Sequence, residues 1–185
     1  MIRQAFGIVS LLNIENNQAA RLIWNRASDM VQNFGFTAPE FPHFSWQVAV
    51  NYQLEQLAED LQRVALETEP FSIHIAGLGI FPGIQPVLYL SIVRSKKMNL
   101  LHEKIWRTCS IHGFELSAYY SPERWIPHLT LAYDPILSPK LSLMVEAMAS
   151  EPWECEIAID NLAVLYQKDG EAGIALNLPL RRVEK

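Results

Sequence analysis

Apolar residues recur along this chain in two rhythms, alternation over short runs and a three-to-four spacing over longer ones, and the two take turns from end to end. Phe6 to Leu12 alternates as a strand. Asn17 to Phe34 carries Leu22, Ile23, Ala27, Met30 and Val31 on one face of a helix that Gly35 stops. His43 to Val50 is a second strand. Leu54 to Leu66 is a second helix, with Leu54, Leu57, Leu61, Val64 and Ala65 as its stripe and Pro70 beyond its end. Phe71 to Phe81 and Val87 to Val93 predict a hairpin, and Met98 to Ile111 a third helix closed by Gly113. Pro127 to Tyr133 is a strand. Ser138 and Pro139, a capping residue and a fixed first turn, open a fourth helix over Lys140 to Ala149. Glu156 to Gln167 and Gly173 to Leu178 finish the chain as a hairpin, and Tyr119 to Ile126 is the longest expected loop.

That order of elements occurs twice, which predicts a duplicated unit. His43 and His128 stand 85 positions apart, and Phe71 to Phe81 laid on Glu156 to Tyr166 keeps the same offset without a gap. Only the pattern repeats, and alternating strands align with one another easily. The shared order nonetheless favours an α+β fold of two pseudo-symmetric lobes with a groove between them, forming one bilobal domain over residues 1–185.

Composition narrows the function. The chain has 185 residues, half of them hydrophobic and 19% charged, as a globular domain has. A formal charge of -5 gives no field that could hold a nucleic-acid duplex non-specifically. Two cysteines, Cys109 and Cys155, are too few for a disulfide scaffold or a four-thiolate zinc site and suit a reducing compartment. The apolar run Ala5 to Leu12 is too short for a signal peptide and meets Asn13 and Glu15, so a cytoplasmic location is expected. Phe71 to Val93 lacks Asp, Glu, Lys and Arg, but Pro82, Gly83, Gln85 and Pro86 divide it into strand-length pieces, so no membrane span is expected.

The candidate chemistry lies in two local patterns, Pro42-His43-Phe44-Ser45 and Pro127-His128-Leu129-Thr130. In a strand, residues i and i+2 share a face, so each pattern presents an imidazole beside a hydroxyl, while Phe44, Trp46 and Val48, and Leu129 and Leu131, turn to the core. Either pattern alone is an ordinary strand with a half-exposed histidine. At equivalent places in two lobes they converge on one groove. Two imidazoles suit displacement at phosphorus, one taking the proton of the attacking oxygen and the other supplying one to the leaving oxygen. Ser45 and Thr130 would donate to the non-bridging oxygens, and no metal or other cofactor is required. A zinc site would need a third ligand such as Glu40, Glu123 or Asp134, and no metalloprotease-type or cysteine-pair spacing accompanies them.

With these motifs the chain resembles the two-histidine phosphoesterases, which include the bacterial 2′,5′ RNA ligases and cyclic nucleotide phosphodiesterases. Pro127-His128-Leu129-Thr130-Leu131 is similar to that family's second motif, and Phe71 to Phe81, with Gly77-Leu78-Gly79 and Phe81-Pro82, to the strand between its motifs. The resemblance implies two lobes, each an antiparallel sheet with helices packed outside. It also implies opening of 2′,3′-cyclic phosphates, usually to a 2′-phosphate, or in reverse the formation of 2′,5′ linkages. Trp46 follows the first hydroxyl where an aliphatic residue more often stands, and Tyr133 stands where the ligase branch often has a basic one. Fewer basic side chains suit a small nucleotide or an RNA end.

Arg124 is the nearest candidate for a further phosphate contact, and Trp125 for stacking on a base. His74 reads as a polar member of a half-exposed strand, and His102 and His112 as helix histidines placed near the carbonyl pole. Trp24, Trp106 and Trp153 read as packing residues. The expectation is therefore a metal-independent phosphodiesterase with His43 and His128 as its acid-base pair. Its partners would be RNA ends or small nucleotides, with no duplex, no membrane and no second subunit. The rival is a module that binds a phosphate end without turning it over.

Overall fold

The computed structural model describes residues 4–36, 38–83, 85–133, 139–168 and 170–181. Its elements in order are β1 (Ala5–Leu11), α1 (Gln18–Asn33), β2 (His43–Tyr52), α2 (Leu54–Leu66), β3 (Phe71–Phe81), β4 (Val87–Ile92), α3 (Lys96–Cys109), β5 (Gly113–Leu116), β6 (His128–Tyr133), α4 (Pro139–Ala149), β7 (Glu154–Ile159), β8 (Asn161–Lys168) and β9 (Glu171–Pro179). Asn17 caps α1 by accepting from the Ala20 amide, and Ser95 caps α3 by accepting from that of Met98. The Ser138 cap expected for α4 lies outside the described residues. The face of α1 is rotated from the expected one: Ala20 and Trp24 are buried, and Leu22 faces solvent.

The strands form one curled antiparallel sheet in the order β7-β3-β4-β6-β2-β1-β8-β9, with β5 as a short side branch on β2. Helix α1 packs on β6 and β7 with α4 against it, and α2 and α3 cover the other half, on β8, β9 and β2. With β5 and β7 set aside, the chain runs strand-helix-strand-helix-strand twice, as β1-α1-β2-α2-β3 and β4-α3-β6-α4-β8. Each run gives its third strand to the other half: β3 pairs with β4, and β8 pairs with β1. The single strand expected over Glu156 to Gln167 is divided at Asp160, because residues on either side of it pair with different partners, β3 and β1. Ile80 and Val164 hold matching ladder places beside Leu88 and Ile8, one position short of the 85 that separates the two histidines.

The halves meet where β2 lies against β6, recorded by one pair, Phe44 with Leu129. A β-bulge interrupts each of these strands at the same point. Val9 faces Ser45 and Ile8 faces Gln47, so Trp46 is the extra residue; Tyr89 faces Thr130 and Leu88 faces Ala132, so Leu131 is. An extra residue reverses the alternation that follows it. Val48 therefore turns to the groove face, contrary to the expected core position, while Gln47 is buried and bonded to Tyr52 and Ser110.

Two glycines make room for aromatic rings. A Cβ on Gly79 would stand 2.6 Å from the Tyr89 hydroxyl oxygen, and one on Gly173 2.6 Å from that of Tyr166. Gly79→Ala must push the Tyr89 ring off Phe81, on which it stacks at 4.2 Å. The expected destabilisation is about 1–3 kcal/mol, as for overpacking elsewhere, read from denaturant midpoints. A variant as stable as the wild type would show that this ring moves freely.

Candidate active site

The register between β2 and β6 assembles the site. Phe44 and Leu129 lie opposite each other and are both buried, so their neighbours point to the other face. In an antiparallel ladder anchored on that pair, His43 falls level with Thr130 and Ser45 with His128. Four polar side chains thus share one face, with each imidazole across from a hydroxyl of the opposite motif. All four are half-buried.

Each imidazole is held by its own strand entry. His43 Nδ1 donates to the Phe41 carbonyl at 2.6 Å, and His128 Nδ1 donates to the Ile126 carbonyl at 2.7 Å. A carbonyl only accepts, so both rings are protonated at Nδ1 and Nε2 is the nitrogen left for a substrate. Burial pulls both histidines below their ordinary value of 6.5; the carbonyl bonds oppose this, and at His43 the charge of His128 reinforces it.

A cavity of about 350 Å3 opens beside His43 and Ser45, walled by Val9, Glu40, Tyr120 and Tyr166 among others. One of about 360 Å3 opens beside His128, lined by Phe81, Tyr119, Tyr120, Arg124 and Ile126. Tyr120 lines both. The His128 ring meets Phe81 and Tyr89 edge-on, with centroids 4.8 and 5.2 Å apart. A larger cavity of about 560 Å3 adjoins the His43 side through Glu40 and Phe41.

Arg124 lies in the wall of the His128 cavity, with its guanidinium over the Tyr119 ring at 5.0 Å. Trp125 offers no face to a base, in contrast to the expectation. It is 1% exposed, stacked on His102 at 4.0 Å, and its Nε1 donates to the Ser45 carbonyl at 2.9 Å. Arg94 fastens the same loop, donating to the Trp125 and Pro122 carbonyls. Trp24 and Trp153 are buried as expected, whereas Trp106 is only half-buried.

His74 Nε2 lies 3.3 Å from the Glu154 carboxylate on the exposed sheet, and His112 Nε2 bonds Asp60 at 2.8 Å. His102 does not sit at a helix end. It is buried within α3, its Nε2 3.0 Å from both the Trp46 and Tyr120 carbonyls, and its Nδ1 without a partner. Sequence reading also missed Tyr120 and Tyr89, and it named Glu40 only as a possible zinc ligand and Phe81 only as part of a strand. No group of three or more His, Cys, Asp and Glu positioned to hold a metal occurs among the described residues, and Asp134 lies outside them.

Burial also lowers His102, so the fold favours the neutral form of three imidazoles relative to the unfolded chain. The unfolded chain binds more protons between their lowered values and 6.5, so stability rises with pH across that window. Thermal unfolding should therefore begin at a lower temperature as pH falls from about 7 through 6.5 and below. The paired carboxylates Asp60 and Glu67, themselves lowered by His112 and Lys104, add a further loss only below their ordinary 3.8 and 4.5. Equal midpoints at pH 7.5 and 5.5 would contradict the lowering of these imidazoles.

A curled antiparallel sheet of two pseudo-symmetric halves, with one His-x-Ser/Thr pattern on each central strand, defines the class of two-histidine phosphoesterases. The profile of the 2′-5′ RNA ligase superfamily matches residues 25–171, and the chain belongs to that superfamily. It is 27% identical over 119 residues to the "Putative phosphoesterase OB1230" of Oceanobacillus iheyensis, over 64% of this chain and 65% of that one. It is 24% identical over 136 residues to the "Putative phosphoesterase Bcer98_0945" of Bacillus cytotoxicus, over 70% and 73% of the respective chains. The first match thus spans just under two thirds of its relative. A solved structure titled "Crystal structure of phosphoesterase" shares the fold, with a TM-score of 0.62 at 13% identity over 97% of this chain and 99% of that one. No helix among the described residues is long and apolar enough to cross a membrane.

Proposed function

We propose that the chain is a metal-independent phosphodiesterase that opens 2′,3′-cyclic phosphates on RNA ends or small nucleotides. The observation that carries this reading is the checkerboard of His43, Thr130, Ser45 and His128 fixed by the Phe44–Leu129 register, with both Nδ1 atoms engaged by backbone. One neutral Nε2 takes a proton from water as its oxygen attacks phosphorus. The bond from phosphorus to O3′ breaks, and the other imidazolium, through Nε2–H, protonates that oxygen, leaving a 2′-phosphate. The Ser45 and Thr130 hydroxyls donate to the non-bridging oxygens as charge gathers there. With a ribose 5′-hydroxyl in place of water, the same steps in the same direction form a 2′,5′ linkage: that oxygen attacks phosphorus, the bond to O3′ breaks and O3′ takes the proton. Arg124 in the wall of one cavity and Glu40 in the wall of the other suit a small substrate with a single phosphate better than a polyanion.

The test is turnover of the four 2′,3′-cyclic nucleotides with EDTA present, the product isomer being read by phosphorus NMR. Release of 2′-phosphates is expected. Ser45→Ala and Thr130→Ala should each cost about 10²- to 10³-fold in kcat, the range for losing one donor to a developing oxyanion. Binding without turnover would instead mark a phosphate-end binding module.

A further inference from the structure

We infer that His102 is a positioning residue: by joining the Trp46 and Tyr120 carbonyls it fixes the wall common to both substrate cavities. The inference rests on the reading above for its kinetic part and on geometry alone for the rest.

Strands β2 and β6 meet at Phe44–Leu129, and β2 next pairs on that side at Ala49, with Leu116 of β5. Between these points β2 has lost its neighbour just where its bulge lies. Buried carbonyls there need other donors. Trp125 Nε1 supplies one to Ser45, His102 Nε2 supplies one to Trp46, and the Ser117 amide supplies one to Val48. The two stacked rings of Trp125 and His102 therefore fill the opening where the lobes diverge.

His102 differs from Trp125 in reaching a second carbonyl. Its Nε2–H is shared between Trp46 on the motif strand and Tyr120 on the loop, each at 3.0 Å. Tyr120 belongs to a single 3₁₀ turn, Ala118–Tyr120, which packs on the core and is joined to β2 at its start by the Ser117 amide, and His102 adds a tie at its end. The shared donor ties this turn to the bulge beside Ser45, so the wall and the hydroxyl keep a fixed relation. Nδ1 faces no acceptor among the described residues, so the ring has one useful tautomer, and Nε2 is its only donor.

His102→Met removes the donor while keeping an apolar side chain of similar length; His102→Gln keeps an amide nitrogen with two hydrogens, one for each carbonyl. On 2′,3′-cyclic AMP, His102→Met should raise KM about tenfold, the weight of one or two buried hydrogen bonds, with kcat changed less than about threefold. His102→Gln should restore KM to within about threefold. Amide hydrogen exchange over residues 117–127 should quicken in His102→Met and not in His102→Gln, while exchange in β3 and β4 stays as in the wild type. An unchanged KM, a loss confined to kcat, or exchange that quickens everywhere would overturn the inference. If the wild type turns over none of the cyclic nucleotides, the functional reading fails and not this one; exchange, together with affinity for adenosine 2′-monophosphate, then decides. Should His102→Met not fold, nitrogen NMR of the wild type decides: protonated Nε2 and bare Nδ1 are expected, and the opposite tautomer would overturn the inference.

Discussion

Replacing either His43 or His128 by alanine is expected to lower kcat on a 2′,3′-cyclic nucleotide by about 10²- to 10⁴-fold, the contribution of one positioned acid or base. KM and fold should change little, because each ring is half-buried and bonded only to a carbonyl of its own chain entry. The wild-type profile of kcat/KM against pH should be a bell, since one imidazole must be neutral and the other charged. Each alanine variant should lose one limb, and which limb it loses identifies the base for hydrolysis. If the reaction went by water and a single histidine, one of the two alanine variants would keep wild-type turnover. Two folded variants that both keep wild-type turnover would end the acid-base assignment.

Trp46→Ala should produce the largest loss of stability, about 3–5 kcal/mol for removing a large buried aromatic ring. The indole is fully buried, meets Phe44 edge-on at 4.8 Å and Trp125 in a stack at 5.2 Å, and donates to Ser10 Oγ at 2.9 Å. Ser10 in turn donates to the Asn161 carbonyl, so the indole ties β2 through β1 to β8. Against the 5–15 kcal/mol typical of whole domains, that loss is a large share. Urea unfolding followed by circular dichroism measures it. A change below about 1 kcal/mol would mean that the core closes over the gap.

The order of helices and strands was legible because spacing and boundary residues agreed. Phe71–Phe81 matches its expected span because Pro70 and Pro82 bracket it, and the two motif strands were found where the imidazoles stand. What escaped notice depends on partners distant in the chain. The bulges at Trp46 and Leu131 reverse the alternation after the hydroxyls, and an alternation count assumes a single register. The break at Asp160 exists because β3 and β1 claim the residues on its two sides. Trp125 looked like an exposed loop ring because its burial comes from α3 and β2, far away in sequence. His102 had left a signal that went unread: it shares an apolar helix face with Met98, Ile105 and Cys109. A histidine inside such a stripe is buried, and buried polar groups need partners.

The exchange of third strands between the halves governs how this chain can be made. β1 is synthesised early, yet one of its two neighbours is β8, and Ser10 bonds Asn161, 151 positions later. On a ribosome the first strand therefore waits, one edge unpaired, until nearly the whole domain has emerged. Contacts this remote in sequence slow folding, and neither half can mature as an independent intermediate. Pausing of translation before β8, or a chain interrupted there, should leave a sticky edge on β1 for chaperones to cover.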